Sequence, residues 1–175
     1  MDWRDEMRIG LRGQVRRSWA PRGVKVVQPV EWERTWVYLN LAVHGVSGVV
    51  QWEWSENVTA ATLASTLRRW GERGVTAVVW DRAPGHHGNA DATVPVQRIE
   101  QPAYSPELNP AERVFEYLRS RIEGKTYGSL EAKKAAVEQE VQQVAADGEQ
   151  IKRLTGWTWI REALAQLPIP NTVFQ

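Results

Sequence analysis

No cysteine occurs among the 175 residues, which excludes a disulfide framework and any thiolate zinc centre. No run of roughly eighteen apolar residues occurs either, so the sequence offers no membrane-spanning helix. The opening residues, Met1-Asp2-Trp3-Arg4-Asp5, hold no apolar signal-peptide core, and the expected location is the cytoplasm. Fixed-period repeats and low-complexity tracts are missing too, which sets aside solenoids and disordered arrays. Charge of one sign is scarce. The 22 Lys and Arg nearly balance 21 Asp and Glu, a formal net charge of +1, so bulk charge argues neither for nor against a nucleic-acid partner.

What is present is the composition of an ordinary globular protein, 42% hydrophobic and 25% charged, at a length that suits one domain over residues 1–175. Ten tryptophans are expected mostly to fill core or interface. The distribution of charge says more than its sum. Arg4, Arg8, Arg12, Arg16, Arg17, Arg22 and Lys25 crowd the first 25 residues against Asp2, Asp5 and Glu6. Arg113, Arg119, Arg121 and Lys125 form a second basic group. Clusters of this kind suit a phosphate backbone, although solvated surface is their commoner role.

Residues 2–12 alternate strictly, with Trp3, Asp5, Met7, Ile9 and Leu11 on one face and Asp2, Arg4, Glu6, Arg8 and Arg12 on the other. That is the pattern of a half-buried strand. A loop follows, then two antiparallel strands near residues 34–43 and 49–54, joined by a hairpin at His44-Gly45-Val46-Ser47-Gly48. From Thr59 the period becomes helical, with Leu63, Leu67 and Trp70 on one stripe and a stop near Gly71 to Gly74. Val75 to Trp80 is almost continuously apolar and reads as a parallel strand covered on both faces. Residues 82–95 read as loop, and 96–100 as one more short strand. The last third is helical, with a helix opened by Asn109-Pro110, a second over about 130–146 and a third over about 159–167. Three antiparallel strands, a crossover helix, parallel strands and flanking helices make an α/β fold with a mixed sheet of the ribonuclease H-like kind.

Three carboxylates stand out. Asp5 interrupts the apolar face of the first strand: either it lies at the sheet margin, solvated or paired with an arginine, or it is buried, which is costly enough that it finds a cation, a metal or several donors. Asp81 ends the buried strand at its carboxyl edge, where open α/β sheets gather ligands, although Arg82-Ala83-Pro84-Gly85 also lets it open a turn. Glu112 falls at the third position of a helix whose N-cap is Asn109 and whose first residue is Pro110, the place of a capping-box acid. Two strand acids and one helix-start acid can converge, and carboxylate oxygens suit hard divalent cations. His86 and His87 are adjacent, which is poor geometry for a shared metal. His44, at the hairpin, is expected at the surface. Trp19, in the basic loop, either packs on a nucleotide or fills core.

The residues also carry a family resemblance. Asp5-Glu6 followed by Arg16-Arg17-Ser18-Trp19-Ala20-Pro21-Arg22-Gly23 resembles the start of the DDE domain of mariner-superfamily transposases, in their bacterial insertion-sequence branch. Trp80-Asp81-Arg82-Ala83-Pro84-Gly85-His86 is similar to that family's second-aspartate block, with Arg82 where Asn is usual. Tyr104-Ser105-Pro106-Glu107-Leu108-Asn109-Pro110-Ala111-Glu112 is similar to its third block. The resemblance implies that Asp5, Asp81 and Glu112 are catalytic and hold two Mg²⁺ ions, with Mn²⁺ as a substitute. It implies cleavage at transposon ends and transfer of the freed 3′-hydroxyl to target DNA by a homodimer. Arg16, Arg17, Trp19, Arg22, His86 and Arg113 are the implied DNA contacts. The family's N-terminal helix-turn-helix region has no counterpart in these residues, so a separately encoded half is one expected partner. An inactive remnant, or a related nuclease that cuts without joining, are the alternatives.

Overall fold

In the computed structural model, which describes residues 1–13, 17, 19–81 and 94–166, the alternating opening segment forms strand β1 (Asp2–Gly10). Strands β2 (Trp36–Val43) and β3 (Val50–Ser55) continue it as an antiparallel meander. Their hairpin is closed by the His44 amide donating to the Val49 carbonyl at 2.9 Å and the Gly48 amide donating to the His44 carbonyl at 2.8 Å. Helix α1 (Ala60–Glu72) starts at Thr59, whose side chain accepts from the Thr62 amide. It leads to β4 (Ala77–Trp80), parallel to β1, and then to β5 (Gln97–Glu100), parallel to β4. The order across the sheet is β3-β2-β1-β4-β5, so the first strand in sequence lies in the middle. A 3-10 turn (Pro106–Leu108) precedes helices α2 (Ala111–Ile122), α3 (Leu130–Ala146), α4 (Gly148–Thr155) and α5 (Thr158–Ala165).

The sheet has a core on each face. On one, Trp3, Met7 and Ile9 of β1 and Leu39, Leu41 and Val43 of β2 pack against Val114, Phe115 and Leu118 of α2, with Val137, Val141, Ile151 and Ile160 behind them. On the other, Ala42, Val78 and Trp80 meet Leu67 and Trp70 of α1. The mixed sheet flanked by helices is the expected fold class.

Several expectations need correction. The polar face of β1 is not solvated: Asp2 is buried and Arg4 is only 2% exposed. Alternation sorts residues by face, but a central strand has both faces covered, and α1 covers this one. Arg4 survives there because Glu6 pairs with it at 2.8 Å and Asn40 Oδ1 accepts from it at 2.9 Å. His44 is half-buried rather than on the surface, and burial lowers its pKa against the upward pull of the Asp2 charge. Only Trp3, Trp70 and Trp80 of the ten tryptophans are buried; Trp19 stands in solvent, so its core-filling role fails. Helix α4 was not legible because it is a short element opened by Asp147 and Gly148, residues that read as a loop.

Candidate active site

Asp5 lies on the helix-covered face of β1 between Trp3 and Met7, and it is half-buried. Its carboxylate is held at both oxygens. Oδ1 accepts from the Glu6 amide at 2.8 Å, and Oδ2 accepts from Asn109 Nδ2 at 3.2 Å. The same Asn109 amide donates to the Arg4 carbonyl at 3.2 Å, while Asn109 Oδ1 accepts from the Ala111 amide at 3.1 Å. A single buried side chain thus clips the central strand to the first turn of α2. The sequence pattern marked Asn109 as a helix cap and missed this second duty.

The capping box expected of Glu112 does not form. Asn109 spends its own amide on the Pro106 carbonyl at 2.9 Å, inside the 3-10 turn, so no cap amide is left for the Glu112 side chain. The Glu112 carboxylate lies against Arg119 at 3.4 Å, and it is close enough to Asp5 for its charge to act there. Burial, then the charges of Glu6 and Glu112, push the Asp5 carboxyl up to about 7, against the opposing pull of the Glu6 amide and of Arg4. An acid in that condition is short of positive charge.

Asp81 follows the last residue of β4. Trp80 faces α1, and the paired residues Trp3 and Val79 share the opposite face, so continued alternation puts Asp81 on the face of Asp5. Its charge reaches Arg4. Burial lowers the pKa of that guanidinium, and Glu6, Asp5 and Asp81 each work against the effect. One buried arginine therefore serves three acids, a role the alternation pattern did not reveal.

The remaining expected residues fall into three groups. Arg17, Trp19 and Arg22 are exposed on the β1–β2 connection, with Trp19 bare to solvent. Arg113 is exposed beside Glu112, paired with Glu116 at 2.8 Å, and its guanidinium stands 5.7 Å from the Trp157 ring. Both line a cleft of about 340 Å³ that reaches Asn109 and Glu112. Arg16, Arg82, His86 and His87 lie outside the described residues. The second basic group is largely spent internally: besides Arg113 and Arg119, Arg121 pairs with Glu140 at 3.6 Å.

The donors fit a hard divalent cation in kind. They are carboxylate oxygens, one of them half-buried and destabilised by neighbouring negative charge. In arrangement they are incomplete: among the described residues no three His, Cys, Asp or Glu side chains are grouped to hold a metal ion.

A family model described as DDE superfamily endonuclease matches residues 1–132. Among curated proteins nothing matches. Solved structures that resemble the fold include the mariner Mos1 paired-end complex with Mg, at 22% identity and TM-score 0.62, covering 89% of this chain and 51% of that one. The Mos1 strand transfer complex gives 18% and 0.59, covering 89% and 54%. The Mos1 transposase paired-end complex with left transposon end gives 18% and 0.56, covering 89% and 55%. At these identities the likeness is one of fold, and the chain spans about half the length of the solved chains it matches.

Proposed function

The chain belongs to the DDE superfamily endonucleases, and from that premise we propose that residues 1–175 are one catalytic domain of a transposase, of the bacterial insertion-sequence branch of the mariner superfamily. It cleaves DNA at transposon ends and transfers the freed 3′-hydroxyl to target DNA. The observation that carries the reading is the Asn109 clip, which brings the acid of the central strand to the start of the helix that bears Glu112.

In this reading Asp5, Asp81 and Glu112 hold divalent cations, Mg²⁺ or Mn²⁺, which when bound would activate an attacking oxygen and stabilise a leaving one. The protein's own part is positional. Asn109 fixes the Asp5 carboxylate, so that it is aimed before substrate arrives. Arg4 keeps the acids from repelling one another apart while staying buried. Trp3 and Met7, on either side of Asp5, keep water from one flank of the site. Arg17 and Arg22 supply exposed charge for phosphates, and Trp19 an exposed ring for a base.

Pairing of two copies in the active complex is supported by the β1–β2 connection. Val24, Val27 and Trp32 are exposed there at 58%, 78% and 73%, apolar surface that gains by being covered. Recognition of the transposon ends belongs, on this reading, to a helix-turn-helix region outside these residues.

The test is a strand-transfer assay with pre-cut transposon ends in Mg²⁺, comparing the wild type with Asp81→Asn and Glu112→Gln. Both substitutions should abolish joining, a loss of at least a hundredfold. Joining that persists in Asp81→Asn would remove the assignment, and hydrolysis without joining would mark the related nuclease instead.

A further inference from the structure

A recess of about 560 Å³ opens where β1 ends, between Met7 to Gly13, the stretch that enters β2 and the last turns of α2. Arg8, Arg12, Arg34, Arg119 and Lys133 line it, against Glu33 and Glu123. Basic side chains on a surface are usually loose and solvated. Three of these are held. The Arg8 guanidinium stands 5.6 Å from the Trp36 ring, and that of Arg12 stands 5.3 Å from the Trp32 ring. Lys133, buried, donates to the Gly10 carbonyl at 2.6 Å.

Lys133 and Arg119 are engaged within the protein, but the three other arginines keep donors to spare. Among the described residues Arg8, Arg12 and Arg34 have no ion-pair partner. Thr35 lines the same recess, and its hydroxyl is buried with no hydrogen-bond partner. Fixed cations with spare donors complement an anion bearing several oxygens. Arg119 ties the recess to the acids, since it lines the one and pairs with Glu112 among the other. Seven residues of α2 separate the two, a rise of about 10 Å, which matches on the order of three base-pair steps of duplex.

We propose that this recess is a phosphate site that holds a DNA backbone phosphodiester a few steps from the bond being cut, and that Arg119 leaves Glu112 for that phosphate when DNA is seated. The DNA identity of the anion rests on the function proposed above; the site itself does not. Before DNA arrives, Glu112 is paired with Arg119 and the acid set is incomplete. The arriving phosphate competes for the guanidinium and frees the carboxylate, so substrate assembles the site that acts on it.

The experiment is fluorescence anisotropy of a labelled duplex against the full chain in EDTA, where no cutting occurs. Arg12→Gln/Arg34→Gln should bind about tenfold more weakly, and its plot of log affinity against log salt should be shallower by about two. Arg153→Gln/Arg161→Gln, at exposed positions on α4 and α5, should bind as the wild type does. Equal affinity and slope in the recess variant and the wild type would overturn the site. Saturation by inorganic phosphate with no duplex bound would overturn its assignment to DNA. The handover is read separately, by titrating Mn²⁺ without DNA. Arg119→Gln should bind the ion several-fold more tightly than the wild type, and equal binding would overturn the handover. None of these readouts uses cleavage, so a chain inactive on transposon ends leaves the phosphate site to stand or fall by itself.

Discussion

At Asp5 the protein accepts a destabilised acid where an amide would be more comfortable. A carboxyl raised from an ordinary 3.8 to about 7 binds its proton more tightly folded than unfolded. Its contribution to stability is therefore present below pH 4, drains as pH rises from 4 to 7, and is gone above that. In EDTA, Asp5→Asn should be more stable than the wild type at pH 8 by an amount on the order of 2–4 kcal/mol, and the gain should vanish near pH 4. Thermal unfolding across that range checks it, and a gain that does not change with pH would be inconsistent with a buried charge as its cause. Asn109→Ala leaves three partners unanswered, two of them buried, and should cost about 2–4 kcal/mol in urea unfolding. At this scale the sequence was partly readable. Asp5 showed itself as a carboxylate on an apolar face, but Arg4 and Asn109 did not, because their duties depend on strands and turns that meet only in the folded chain.

Among the elements, the β2–β3 hairpin has the tightest constraint. Gly48 has φ of 75°, and a Cβ there would collide with the Gly148 backbone at the start of α4. Gly74, at φ 93°, closes α1 with open space around it. Gly74→Ala should therefore cost about 1 kcal/mol, from backbone conformation alone, and Gly48→Ala at least about 3. Comparable denaturation midpoints for the two would show that the hairpin yields at no cost. Strands and long helices were legible because an apolar period runs along the face each turns to a core, although on β1 it did not report that the polar face is covered too. Alternation marked β1, the apolar run marked β4, and the stripe of Val114, Phe115, Leu118 and Ile122 marked α2. The failures were short elements and element ends. The 3-10 turn at Pro106–Leu108 took the amide that a capping box needed, a competition between neighbours that no period reports.

Across the whole molecule, the helices beyond the matched family residues are part of the same core. Ile151 and Ile160 are fully buried in the cluster that contains Trp3 and Phe115. Ile151→Ala and Ile160→Ala should each cost about 2–5 kcal/mol. A chain ending at residue 147 should lose its cooperative transition in near-ultraviolet circular dichroism, and retention of it would mean that α4 and α5 merely decorate the domain. Among the described residues no helix is long and apolar enough to cross a membrane.

The strand order has a consequence for synthesis on the ribosome. The β1-β2-β3 meander can pair as soon as it emerges, but β1 then keeps one raw edge until β4 has been made and has crossed over to it. Asp5 waits longer still, for an asparagine 104 residues downstream. Contacts of such long range form late. A half-made chain therefore has a sheet but not yet the partner that settles the acid at its middle.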